Sequence, residues 1–430
     1  MKFGLLSGAS IAIGAIVASS HAFAGPGNLN AAEIQARLKV FGFETVDART
    51  GMVRKDKVVM SWLTHTTMAT AVDGRVFLMD TYVARLETKP GRTPFVVQDI
   101  ANLRPEAIFI GHGHGDHADN AAWIAAKSGA KLFASEETCG VLQGDLARMK
   151  ADTFMQADPA FAISAATTIS CSNVTTAGSA PATQVVKLTA LEPAVCVVAF
   201  RHMHSMALDA DPDWGAVELV DEPDPRDPKL FPVGDPLTPS EPRRAGQQDL
   251  RTSAKAGATA SIWYQFVSRK GTNMTIAFND TAGAVKEGKA RGWDGVPADG
   301  QRILDVVRSL PYTDLQFGTA SSGNTDHNGW RDHMYYLEAL RPKIFVPSHM
   351  PVGTSMQYYS GFINHLALME QPKGAWPGFP RTVWPSVRWL TDPVDTLKPM
   401  AFDVNDKAWQ TSGKAARIAK FCGPTLQGGR

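Results

Sequence analysis

The chain has 430 residues, 44% of them hydrophobic, with 43 basic against 42 acidic side chains and a net charge of +1. That apolar content is normal for a chain that buries a large core. The even charge balance, with no long run of one sign, argues against a surface for nucleic acid or anionic membrane.

The first residues read as a processing signal. Lys2 gives a positive start, residues 5–17 are apolar with small residues, and Ala22-Phe23-Ala24 has the small-x-small cleavage form. The run is too short and too glycine-broken to span a bilayer, and no other segment is apolar enough to insert in a membrane. Residues 1–24 are therefore expected to be removed, leaving an exported, periplasmic or secreted protein that begins near Gly25.

Past the signal, apolar runs predict strands over 57–63, 75–79, 106–110, 131–134, 194–200, 261–268, 274–278, 315–318 and 343–346. Helical patterns fall over 95–103, 119–128, 136–150, 300–309, 329–340 and 356–370. The runs 261–268 and 274–278, joined across Lys270-Gly271-Thr272-Asn273, read as a hairpin. Meanders come first and strand–helix alternation later, which suggests α/β layers rather than one parallel array. Residues 205–258 carry eight prolines, from Pro212 to Pro242, among many acidic residues; they are expected to form an ordered insertion over the site. The main domain is taken as 25–370, with 371–430 an extension packed on the core.

Four cysteines, Cys139, Cys171, Cys196 and Cys422, allow up to two disulfides in an exported chain. Cys196 lies inside the apolar run 194–200 and is expected to be a buried small hydrophobe. Cys139–Cys171 is the preferred pair.

The densest chemistry follows the strand over 106–110, where Gly111-His112-Gly113-His114-Gly115-Asp116-His117 places four metal-binding side chains in six positions. In extended chain, residues i and i+2 point the same way, so His112 and His114 can grip one ion. The turn beyond can aim Asp116 and His117 at a neighbouring point. Histidines in bulk solvent gain nothing from such clustering. Further ligands are expected at later strand ends: His204, with His202 as the alternative, after 194–200; Asp280, as a bridging carboxylate, after 274–278; and His349 after 343–346.

Together, His112-x-His114-x-Asp116-His117, a histidine some ninety residues on, Asn279-Asp280-Thr281 and the late His349 resemble the metallo-β-lactamase fold superfamily, most closely its ascorbate-phosphate-lactonase-like branch. Trp62-Leu63-Thr64-His65-Thr66 is similar to that branch's early histidine-bearing strand, and Asp80 stands where the family keeps an aspartate that supports the metal loop. Asn279 replaces the family's usual glycine. The resemblance covers residues 55–350 and implies an αββα sandwich with two cations at one edge. His112, His114 and His204 would hold the first ion, and Asp116, His117 and His349 the second. Asp280 would bridge them, with Asp116 also orienting the nucleophile. Asp80 would act from behind the ligands, and His65 and His327 would contact substrate. Imidazoles and carboxylates without thiolates favour zinc, with iron and manganese as alternatives. Two such ions can share a hydroxide and polarise a scissile bond. The expectation is a metal-dependent hydrolase cleaving an ester, lactone or amide bond of a small-molecule substrate. The alternatives are a phosphodiesterase of the same fold, an iron-dependent redox enzyme and a non-catalytic exported metal-binding protein.

Overall fold

Two sheets buried on both faces form the middle of the molecule, in a computed structural model that describes residues 29–82, 96–209, 211, 259–320, 328, 330–349, 385–388 and 399–424. The first sheet takes the spatial order β16-β1-β2-β3-β4-β5-β6. Its strands are β1 (Lys57–Thr64), β2 (Thr67–Val72), β3 (Arg75–Met79), β4 (Ala107–Phe109), β5 (Lys131–Ala134), β6 (Cys171–Asn173) and β16 (Met400–Asp403). The second has the order β15-β14-β13-β10-β9-β8-β7. It comprises β7 (Val185–Leu188), β8 (Val195–Arg201), β9 (Ile262–Ser268), β10 (Thr275–Asn279), β13 (Leu315–Thr319), β14 (Ile344–Ser348) and β15 (Ser386–Val387). A small ribbon, β11 (Lys289–Ala290) with β12 (Trp293–Asp294), lies apart.

Each sheet joins an antiparallel meander to a parallel set. Strands β1, β2 and β3 pair antiparallel, then β3 through β6 pair parallel. In the second sheet β7 to β10 are antiparallel, and β10, β13, β14 and β15 run parallel.

The two-residue period of strands explains the layering. In β1 to β3, Val59, Leu63, Ala71, Val76 and Leu78 face one core, under α1 (Ala31–Phe41), α2 (Val97–Asn102), α4 (Ala121–Ser128) and α5 (Glu136–Ala151). Alternate residues Val58, Met60, Met68, Phe77 and Met79 face the second sheet and meet Val195, Val197, Tyr264, Phe266 and Phe278 there. Cys196, Val198, Phe200 and Trp263 face a third core, under α6 (Pro297–Ser309), α7 (Trp330–Leu340) and the helix Lys414–Cys422. Helix, sheet, sheet and helix follow in that order: the αββα sandwich is present. Strands covered on both faces need no polar alternation, which is why the continuous apolar runs marked most of them in the sequence. Strand β2, Thr-Met-Ala-Thr-Ala-Val, lacked such a run and was not anticipated.

The stretch after residue 370 contributes to both sheets as well as to the surface: β15 pairs with β14 and β16 with β1. The expected Cys139–Cys171 disulfide is present, but Cys196 is bridged to Cys422, which corrects its assignment as a free hydrophobe. The helix-facing side of β8 that buries Cys196 is the side on which the helix Lys414–Cys422 packs, so burial and pairing have one cause. The expected helix over 356–370, residues 1–28 and most of 205–258 lie outside the described residues. Among the described residues no helix is long and apolar enough to cross a membrane.

Candidate metal centre

Strands β1, β3 and β4 point one way in the first sheet, and β8, β10 and β14 share one direction in the second. The residues just past their C-terminal ends meet at one edge of the sandwich. His65 follows β1, Asp80 follows β3, and His112, His114, Asp116 and His117 follow β4; the latter two lie in the short helix α3 (Gly115–Ala118). His204, Asp280 and His349 follow β8, β10 and β14. The sheets are stitched there: the Ile262 amide donates to the Gly111 carbonyl at 2.7 Å, and the buried Tyr264 hydroxyl reaches the carbonyls of Ile110 and Phe133 at 3.0 and 2.9 Å.

Three groups of donors result among the described residues, the third being His112, His117 and Asp280. In the first, His112 Nε2 lies 2.9 Å from His114 Nδ1, and His204 Nε2 lies 3.2 Å from each of them. In the second, Asp116 Oδ2 is surrounded by the Nε2 atoms of His65 at 3.1 Å, His349 at 3.4 Å and His117 at 3.5 Å. The four residues of this second group offer donor atoms all within 4.8 Å of one another. His202 joins none of them. It is buried between Trp263 and Tyr336, with Nδ1 3.4 Å from the Tyr336 hydroxyl, so the geometry selects His204 of the two candidates. His327 lies outside the described residues. His65, expected to contact substrate, stands among the donors of the second group.

The carboxylates behind the rings set their tautomers. Asp280 Oδ2 lies 2.6 Å from His112 Nδ1 and 3.1 Å from His117 Nδ1. Asp80 Oδ2 lies 2.8 Å from His117 Nδ1, while Asp80 Oδ1 accepts from the Gly111 amide at 2.8 Å. The Thr66 hydroxyl, overlooked in the sequence although it adjoins His65, donates to Asp80 at 2.7 Å. His204 Nδ1 faces the Ser205 carbonyl at 2.8 Å. With each of these Nδ1 atoms donating, the Nε2 atoms of His112, His117 and His204 turn inward. Asp80 thus lies behind the His117 ring and against the Gly111 amide. Asp280 Oδ2 sits on the Nδ1 side of both rings, while its buried Oδ1 has no hydrogen-bond partner among the described residues.

The residues fit divalent cations. Donor atoms about 2.0–2.1 Å from a tetrahedral ion are about 3.3 Å from one another, and the contacts lie near that spacing, at 2.9–3.2 Å in the first group and 3.1–3.5 Å in the second. His117 Nε2 is buried and has no hydrogen-bond partner among the described residues. Burial depresses the basicity of His65 and His112 to about 3, helped by His349 and His117 respectively, and burial with His112 brings His204 to about 2. These rings are neutral lone-pair donors at ordinary pH. His117 is the exception. Burial opposes its protonation, but the charges of Asp116 and Asp280 outweigh it and hold the ring well above its usual value. Positive charge is favoured at that point.

Backbone geometry is also committed to the site. His65, Asp80 and His349 have φ of 51°, 52° and 63°, a left-handed region that costs a non-glycine residue on the order of 1 kcal/mol. The His349 amide donates to the His65 carbonyl at 3.3 Å, so two such residues are tied together. The loop after His204 is held by Asn328, which accepts from the Leu208 amide and donates to the Met206 carbonyl, both at 2.9 Å. Asp116 is the open member, with 43% of its side chain exposed.

No family model and no curated protein matches the chain. Among solved structures it is similar to Igni18, a metallo hydrolase from the archaeon Ignicoccus hospitalis, at 12% identity and a TM-score of 0.42, over 80% of this chain and 98% of that one. It is also similar to the metallo-beta-lactamase fold protein YhfI from Bacillus subtilis (9% identity, TM-score 0.36, 78% of this chain and 96% of that). A third likeness is to CmlA, a diiron β-hydroxylase from Streptomyces venezuelae (11%, TM-score 0.38, 82% and 55%). Likeness this distant fixes no activity.

Proposed function

We propose that this chain is an exported, two-metal hydrolase of the metallo-β-lactamase fold superfamily, acting on an ester, lactone or amide bond of a small molecule. The observation that carries this reading is the pair of adjacent donor groups, one of three imidazoles and one that adds a carboxylate, with ring nitrogens turned inward by carboxylates and a carbonyl behind them. Imidazoles and carboxylates without thiolates suit zinc, with iron and manganese as alternatives. When bound, two cations would act as Lewis acids toward the carbonyl oxygen and make water acidic enough to attack near neutral pH.

The chain's own residues supply the rest. Asp80 and Asp280 hold the histidine rings in the tautomer that donates. Asp116, open on one side, orients the attacking water. Its carboxyl is suited to remain ionised, because His117, His349 and His65 outweigh partial burial and hold it far below the usual carboxylate range. The disulfides Cys139–Cys171 and Cys196–Cys422 support export, since such bonds persist in oxidising compartments. The Ala22-Phe23-Ala24 cleavage signal agrees, and a mature N-terminus at Gly25 is the expected mass-spectrometric result. The resemblance of Trp62–Thr66 to the ascorbate-phosphate-lactonase-like branch inclines the substrate toward lactones.

The test is a panel of esters, lactones, amides and phosphodiesters, run on chelated protein and on protein reloaded with zinc, manganese or iron. Metal-restored cleavage of a carbonyl substrate is expected. Inertness of a fully loaded protein, or equal rates with and without metal, would overturn the reading.

A further inference from the structure

We infer that His65 is a metal ligand, the fourth protein donor of the second site, and not a substrate contact. The inference rests on the two-metal reading above and deepens it. Three imidazoles approach one oxygen, Asp116 Oδ2, from β1, α3 and the end of β14, at 3.1, 3.5 and 3.4 Å. A hydrogen-bond account explains this only in part. His65 and His349 could each donate to the carboxylate, but His117 Nε2 remains buried without a partner among the described residues. A cation among the four donors satisfies all of them at once. The His65–Asp116 contact is the shortest of the three, so omitting His65 removes the best-formed edge of the cage.

The backbone points the same way. His65 occupies a hairpin position with φ of 51°, a conformation that Gly or Asn adopts more readily than histidine. Its ring lies 4.0 Å from that of His349, between centroids, and its carbonyl accepts from both the His349 amide and the Trp62 indole. A side chain meant to meet varied substrates needs no such fixing, whereas a ligand does. The consequence is asymmetry. The second site has three imidazoles and a carboxylate, the donor count of a closed tetrahedral site, while the first has three imidazoles. An exchangeable position then belongs to the His112–His114–His204 side.

The test compares wild type with His65→Gln and His65→Asp by elemental analysis after equilibration with buffered zinc, alongside thermal melts of the chelated proteins. Wild type is expected to hold two zinc ions, His65→Gln one with the other weakened at least tenfold, and His65→Asp to recover the second. Two ions of unchanged affinity in His65→Gln would overturn the inference while leaving the two-metal reading intact. Wild type without two ions would instead overturn that reading. Should His65→Gln not fold, anomalous scattering from zinc-loaded wild-type crystals decides. An ion about 2.1 Å from His65 Nε2 supports the assignment, and one beyond 3 Å refutes it.

Discussion

His204 Nε2 lies 3.2 Å from His112 Nε2, although the residues are 92 positions apart, while His202, two residues earlier, turns into an aromatic wall. The two histidines should therefore separate on mutation. His204→Ala is expected to abolish occupancy of the first site. His202→Phe should retain both ions, with no more than the roughly tenfold to hundredfold loss of affinity typical of groups behind a ligand. Metal titration of the two variants checks this, and equal losses would contradict it.

Gly111 is required by close approach. A Cβ there would lie 2.0 Å from Asp280 Oδ2, and that oxygen holds both His112 and His117. Gly111→Ala is expected to cost about 1–3 kcal/mol of stability, as overpacking of a core does, and to weaken metal binding as well. Denaturant unfolding with parallel zinc titration would show both. An alanine variant with wild-type affinity would show that Asp280 does not hold the rings.

Acid should destabilise the chelated protein. His65 and His112, lowered to about 3, and His204, lowered to about 2, owe this first to burial. In the unfolded chain such rings take up protons as pH falls through about 6.5. Their contribution is thus full above that value and is lost as pH falls toward 3. Asp80 runs the other way, raised to about 7 by burial and then by Asp280. Its contribution is full below the ordinary carboxylate range and is lost as pH rises through 7, so it offsets one ring. The net expectation between pH 6.5 and 4 is a falling Tm, with about 1.4 kcal/mol per pH unit for each unmatched ring. A Tm that rises over that interval would contradict the neutral-ring assignment.

The Cys196–Cys422 disulfide closes a loop across 226 residues and fixes the helix Lys414–Cys422 to β8. Replacing both cysteines by alanine is expected to cost about 2–5 kcal/mol without changing metal stoichiometry, because the bond faces the outer helix layer. Loss of metal together with stability would mean that the helix supports the site.

The legible parts of this chain were those with short-range causes. Strands covered on both faces announced themselves as apolar runs, and His112 to His117 formed one motif because a single loop supplies four donors. The late His349 was found from its place after a strand. The choice between His202 and His204 was not legible, since two residues at i and i+2 look alike until the chain turns. Nor was the Cys196–Cys422 pair, whose partners meet only after the second sheet has formed. Asp280 was recognised as a site residue, but the side of the rings it takes depends on the crowding at Gly111, and the place of His65 depends on a hairpin turn meeting the end of a strand nearly three hundred residues later.

Whether two cations drive hydrolysis in this protein is decided by elemental analysis of protein purified without chelators, with its hydrolysis rate measured before and after chelation. Two divalent ions per chain, and a rate that disappears on chelation and returns on reloading, are predicted. A chain that holds fewer than two ions at saturation, or that hydrolyses its substrate equally well without them, would contradict that expectation.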